Sequence, residues 1–337
     1  MSKVVLGAIL SLILAGFWSE ISANETTPAG SATVWILTRD GVVHEGELLA
    51  GTAPGVDVDG KRREFAWADV LSLNTGSAAS AYEQERIGAN LKALTEPNLE
   101  SRRVAIEELG AIGLPVISPL LATLNDTDLR EPNPGYRLFE RIIPGYADAP
   151  DRTLDFIRLK GGRWLRGKIT PTTLQIKASG GKTESIALAE IRRLAVLQVA
   201  IDRTFDVHSI RHCMQIEFLD TGVVLTASSE WEESAQGYVR LCYRPDLDDW
   251  SADADGLKKP ANGKTTNLTD GLPFAALVGR VRPEGAMWLA GRHSKKSDMG
   301  AGRLYFAVND NSHWQNNIGS FRVTLHVTNA YDMGDPQ

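Results

Sequence analysis

The chain has 337 residues, 43% of them hydrophobic and 23% charged, and a formal net charge of -6. That length suggests about two or three domains, and the composition is ordinary globular usage, which excludes a disordered or fibrous chain. The acidic balance argues against a general nucleic-acid surface, which needs clustered Lys and Arg to displace counterions, and it leaves neutral partners such as sugars open.

Lys3 precedes an apolar run from Val4 to Trp18, and a polar stretch follows that ends in the small residue Ala23. This is the layout of a secretory signal peptide, and the run is shorter than the roughly 20 residues that span a bilayer. Residues 1–23 are expected to be removed, leaving an exported chain, periplasmic or secreted, without a membrane span. An uncleaved N-terminal anchor is the alternative.

Residues 24–78 read as a small β unit. Strands over Val34–Thr38, Val42–Leu49 and Arg63–Leu73 are separated by the turn signals Asp40-Gly41 and Asp59-Gly60. Residues 151–200 repeat the pattern: Gly41, Gly46, Gly60 and Val70 correspond to Gly162, Gly167, Gly181 and Ile191, each pair 121 positions apart. Internal duplication explains the constant offset. The glycines fit turns that need positive φ, and the alternation of Phe65, Trp67 and of Ile186, Leu188 supplies one buried face. Each copy weakly resembles an SH3-like or Sm-like barrel. The copies either pair into one barrel or stand as two modules.

Residues 79–150 change to helical spacing. Val104, Ile106, Leu109 and Ile112 face Val116, Ile117, Leu120, Leu121 and Leu124 as an amphipathic hairpin, with Pro115 in the first turn of its second helix. Arg102–Leu124 resembles one HEAT-type repeat. A lone unit cannot bury its own face, so it is expected to dock on the β units or on a protein partner.

The two cysteines, Cys213 and Cys242, are a disulfide candidate in an oxidising compartment; two separate buried thiols are the alternative. His208 and His212 read as strand residues four apart, about 13 Å by strand rise, which excludes a shared ion. The acidic run Asp246–Asp255 reads as a solvated linker.

From about residue 205 to 330 the chain carries strand-like segments at Gly222–Ser229, Ala275–Val281 and Gly302–Val308, then Asn309–Phe321, with an Asn-Asp pair, a short polar loop, and Asn-Asn-x-Gly-Ser-Phe. In order and spacing these segments resemble the bacterial galactophilic PA-I lectin family, over about a third of the chain. The resemblance implies a galactose-binding-like β-sandwich and a bound Ca2+. Its side-chain ligands map onto Asp310, Asn316 and Asn317. A loop carbonyl comes from His313 or Trp314, and an upstream carbonyl near Ser234 rests on aligning Trp231. Calcium takes 6–8 oxygens at about 2.3–2.6 Å, so this set leaves positions that a vicinal diol of a carbohydrate can fill. Asp310, Asn316, Asn317, His313 and Trp314 are then the sugar-contacting residues, with the Trp ring stacking on an apolar sugar face. The loop between Asp310 and Asn316 is one residue shorter than the family's. The family's His and Gln are absent from Asn262–Thr269, so galactose preference does not transfer. Asn, Asp, Ser and Gly are also what any β-connection prefers, so a polar turn without metal is the competing reading.

No Gly-x-Ser-x-Gly elbow, complete Gly-x-x-x-x-Gly-Lys-Ser/Thr phosphate loop or His-Glu-x-x-His helix occurs. The expected fold is mainly β, with duplicated barrel-like units, an inserted helical hairpin and a C-terminal sandwich. The expected function is calcium-dependent carbohydrate binding without enzymatic activity. The alternative is a structural or protein-interaction scaffold whose lectin-like domain is degenerate.

Overall fold

The computed structural model describes residues 32–49, 53–58, 60–76, 79–96, 98–123, 138, 155–178, 180–214, 217–241, 250–257, 271–282, 285–310 and 317–334. The segment read as a signal peptide, Cys242, and the loop residues His313, Trp314 and Asn316 lie outside them.

The fold is mainly β and antiparallel. The first copy contributes β1 (Thr33–Thr38), β2 (Val43–Leu48), β3 (Gly55–Val58), β4 (Lys61–Glu64) and β5 (Val70–Asn74). The second contributes β6 (Asp155–Leu159), β7 (Trp164–Thr170), β8 (Thr173–Ala178), β9 (Thr183–Ala187) and the first part of β10 (Ile191–His208). In both copies the expected last strand is interrupted, by a 3-10 turn at Trp67–Asp69 and at Leu188–Glu190, which tucks Trp67 and Leu188 into the core.

The copies interlock. β1 pairs with β2 and β10, while their counterparts β6 and β7 pair with each other and β6 pairs with β5. β5 and β10 pair with Leu73 opposite Leu194, Ser72 opposite Ala195 and Asn74 opposite Arg193. Leu73 and Leu194 are themselves 121 apart, so a pseudo-two-fold axis passes through that pair. One core then holds Val34, Ile36, Val56 and Leu73 together with Ile157, Ile176, Ile191 and Leu194. The two copies thus share one core in a single barrel-like unit, its strands in the order β9-β8-β2-β1-β10-β5-β6-β7-β3-β4, with no pairing between β9 and β4 among the described residues.

Gly41, Gly60, Gly162 and Gly181 have positive φ, as the turn reading requires. Gly46 and Gly167 do not; they lie within strands where two backbones approach. A Cβ on Gly46 would stand 2.6 Å from the Lys177 carbonyl oxygen, and one on Gly167 2.1 Å from that of Asp57.

The insert comprises α1 (Ala81–Ala93), α2 (Leu99–Ile112) and α3 (Ile117–Thr123), packed through Ile87, Leu91, Ile106, Leu109, Val116 and Leu120. α1 starts in a capping box between Ser80 and Glu83. The Glu83 carboxylate also takes Arg192 Nε and Nη2, each at 2.5 Å, joining α1 to β10. Glu107 of α2 pairs with Arg280, whose guanidinium lies 3.7 Å from the Phe218 ring centroid. The insert therefore docks on both β units.

The sandwich is built on β11 (Leu219–Arg240) and β17 (Ile318–Asp332). One sheet runs β10, β17, β11, with β12 (Ser251–Ala252) and β15 (His293–Lys296) on the far side of β11. The other holds β14 (Met287–Leu289), β13 (Leu277–Val281) and β16 (Gly302–Val308), and β16 reaches the start of β11. On β17 the residues Phe321, Val323, Leu325 and Val327 are fully buried and alternate with Arg322, Thr324 and His326. Each such side chain contributes roughly 1.5–3 kcal/mol by leaving water.

β10 runs through residues 200–205, pairing with β1 and β5 at its start and with β17 from Leu197 to His208. Asp332 closes this junction, bonded to Arg158 of the barrel and Arg203 of the sandwich. The acidic run is not wholly a mobile linker. Ala252 and Ala254 are buried, and Asp255 holds Arg292 at 2.6 Å.

Candidate functional site

Three segments meet at one end of the sandwich. β10 stops at His208 because the chain turns there: His212 N–H donates to His208 O at 2.8 Å, and His208 N–H donates to His212 Nδ1 at 3.0 Å. The turn then runs beside the end of β16. Val308 N–H donates to His212 O at 2.7 Å, and buried Cys213 bridges to Val308. The third segment is the start of β17, where Ser209 Oγ donates to Gly319 O at 2.9 Å.

Asp310 and Asn317 lie between these segments, each about 2% exposed. Asn317 Nδ2 donates to Asp310 Oδ2 at 2.5 Å and to Ser209 O at 3.1 Å. Both amide hydrogens are thereby committed, which fixes the amide's orientation. Asn317 Oδ1 is left buried and without a hydrogen-bond partner among the described residues. An unsatisfied buried acceptor costs about 1–3 kcal/mol, so the arrangement is informative about what the oxygen is for.

Asn309 supports the site from behind. Its Nδ2 donates to Pro273 O at 2.9 Å, and its backbone pairs with Ala275 and Ala276. Ala275 is left-handed, with φ of 66°, a conformation that costs a non-glycine residue roughly 1–2 kcal/mol. Asn309 Oδ1 is a second buried oxygen without a hydrogen-bond partner among the described residues.

Of the residues expected to act together, Asp310 and Asn317 are adjacent. His313, Trp314 and Asn316 fall in the 311–316 loop between them, outside the described residues. Ser234 is not at the site. It pairs with Thr324 and with His293, while the neighbour of Asn317, Ile318, pairs with Arg240. Six residues of β11 separate the two levels, about 20 Å by strand rise, and Ser234 has strands on both sides. Aligning on Trp231 misplaced the donor because β11 continues well past that residue. Ser209, which orients Asn317, was missed, since nothing in the sequence marks a strand end at His208.

The His208–His212 separation is also corrected: the turn brings the ring centroids to 5.8 Å. Even so, no three His, Cys, Asp or Glu side chains among the described residues group as a metal cluster. The Asp310 site differs in kind, since it offers one carboxylate and amide oxygens. That all-oxygen donor set with a buried unpaired acceptor fits a hard cation such as calcium.

No protein-family model and no curated protein matches the chain. Among solved structures, the chain is similar to one described as "EclA N-terminal domain; PllA-like lectin", with 22% identity and a TM-score of 0.29, covering 38% of this chain and 98% of that one. Among the described residues, no helix is long and apolar enough to cross a membrane.

Proposed function

We propose that the protein is an exported, calcium-dependent carbohydrate-binding protein without enzymatic activity. The observation that supports this most is the buried Asn317 Oδ1, left without a partner beside the Asp310 carboxylate. Asp310, Asn316 and Asn317 would hold the ion through side-chain oxygens, and His313 or Trp314 through a backbone carbonyl. Calcium bound there would supply positions for two neighbouring sugar hydroxyls. The chain's own part is to hold the oxygens in place: Ser209 fixes the Asn317 amide, and Asn309 anchors the loop at Leu272 and Pro273.

Calorimetric titration of the mature chain with Ca2+ tests the reading. Saturable binding is expected, lost in Asp310→Ala and weakened at least tenfold in Asn317→Ala, and a glycan array should give signals in calcium that disappear in EDTA. No heat and no calcium-dependent thermal shift would overturn it. N-terminal sequencing of exported protein should find cleavage after Ala23.

A second reading has its own support. The bond from Asn317 to Asp310 locks the loop ends together without any ion, as a degenerate domain in an interaction scaffold would. Under this reading Asp310→Ala changes stability alone, and a protein partner engages residues 79–150.

A further inference from the structure

Glu233 lies on the inward face of β11 and is fully buried. It sits between Trp231 and Trp288, whose ring centroids are 5.7 Å apart. Trp288 Nε1 donates to Glu233 Oε1 at 3.4 Å. Three more polar atoms of this nest, Glu233 Oε2, Trp231 Nε1 and Ser294 Oγ, are buried without a hydrogen-bond partner among the described residues. A carboxyl in such a place has no role in the Asp310 site. Its neighbour Ser234 is no metal ligand, being held in two ladders about 20 Å away.

The nest lies beneath a strap. β14 belongs to one sheet, bonded to β13, and β15 belongs to the other, bonded to β11. Only residues 290–292 join them across the sandwich edge, turning at Gly291 with φ of 65°. Asp255 holds the turn through Arg292 N–H at 2.8 Å and Nε at 2.6 Å. Trp288 on the first limb and Ser294 on the second both face Glu233. β15 is four residues long, and its ladder to β11 spans Trp231–Ser234, so Glu233 sits under the whole contact of that limb.

Burial pushes the Glu233 carboxyl up to about 7, and the pull of Ser294, Trp288, Lys296 and Trp231 in the other direction does not offset it. The groups acting on it are Trp231 from β11, Trp288 from β14, and Ser294 and Lys296 from β15, with Lys296 the charged one. The carboxylate form is disfavoured because an ion in the sandwich interior loses hydration that these donors replace only in part.

We propose that Glu233 is a proton-operated latch for the β14–β15 strap: its neutral carboxyl lets the strap close with Trp288 against Trp231, and release of the proton to solvent loosens β15. Ionisation breaks no covalent bond; the carboxylic acid becomes a carboxylate, and water drawn beneath the short β15 ladder solvates it. Because the folded form holds the proton more tightly than an ordinary Glu near 4.3, its contribution to stability is complete below about that pH. It is lost as pH rises to about 7 and is constant above.

Thermal unfolding of the wild type and Glu233→Gln from pH 5 to 8.5 tests this, together with hydrogen exchange of the 293–296 amides corrected for intrinsic base catalysis. Every other titratable group is the same in both proteins, so the difference isolates Glu233. The wild type should lose on the order of 5 °C or more relative to Glu233→Gln across that range, with β15 exchange rising at least tenfold in the wild type only. The 13C shift of the Glu233 carboxyl, followed in the wild type, decides the matter even if the variant fails to fold. Titration near 4.3, or β15 exchange that does not change between pH 5 and 8.5, would overturn the proposal.

Discussion

The buried acids at the junctions between units and Glu233 inside the sandwich are handled in opposite ways. Where the barrel, the insert and the sandwich meet, each acid has an arginine: Glu83 with Arg192, Glu107 with Arg280, Asp332 with both Arg158 and Arg203. Inside the sandwich Asp220 is likewise held by Arg303, but Glu233 takes its hydrogen bond from the neutral Trp288 indole. Matched charges hold parts in a fixed geometry at little net gain, since desolvation offsets most of their attraction. A carboxyl bonded to a neutral donor keeps the capacity to change state by exchanging a proton. The junctions thus fix geometry, and Glu233 is a buried acid that can still change its charge.

The largest effect should come from breaking a junction. Asp332→Ala leaves Arg158 and Arg203 buried beside each other, and urea unfolding should show a loss of about 3–5 kcal/mol, the usual result of stranding a buried charge. The paired change Glu107→Leu with Arg280→Met should lie far closer to the wild type than either single change, and a double-mutant cycle reads this directly. If both single changes are mild, the contrast with the sandwich interior fails.

Next in size is Gly167→Ala, which puts a Cβ 2.1 Å from the Asp57 carbonyl oxygen. A loss of about 2–3 kcal/mol is expected because backbone must move, and chemical denaturation measures it. Gly60→Ala meets nothing within 4 Å and carries only the strain of its positive φ, so it should lose about 1 kcal/mol. The smallest effect, about 1 kcal/mol, is expected for Ser209→Ala, which removes one hydroxyl bond to Gly319. Calcium affinity should stay within twofold by calorimetry, because Asn317 is oriented by the Ser209 carbonyl and not by its hydroxyl.

What the sequence made legible was local. The 121-residue offset and the helical spacing of Ile106 and Leu109 are patterns of neighbours, and the strands of both copies and the helices of the insert lie in the segments that carry them. Asp310 and Asn317 belong to one short motif, and its resemblance to the lectin family is what put them together. The rest depended on where strands stop and which distant residues meet. A strand end at His208 leaves no mark, so the turn that brings Ser209 to Asn317 was invisible. The length of β11 was equally unmarked, and Ser234 was assigned to the wrong end of it. Glu83 and Arg192, 109 positions apart, and Arg158 and Asp332, 174 apart, have no periodic relation, so nothing in the sequence pairs them. Gly46 and Gly167 fall inside strands, but the reason each must be glycine, the crossing of two backbones, cannot be seen along a single chain.

β10 has a mechanical consequence. A load applied between the Asn317 end of the sandwich and the barrel acts along this strand. The ladder from Leu197–Tyr331 to His208–Ser320 runs parallel to the pull, so its backbone bonds bear the force together in shear and do not unzip one by one. A sandwich fastened to an immobile surface at that end would drag the barrel with it as a rigid lever, with no swivel between grip and body.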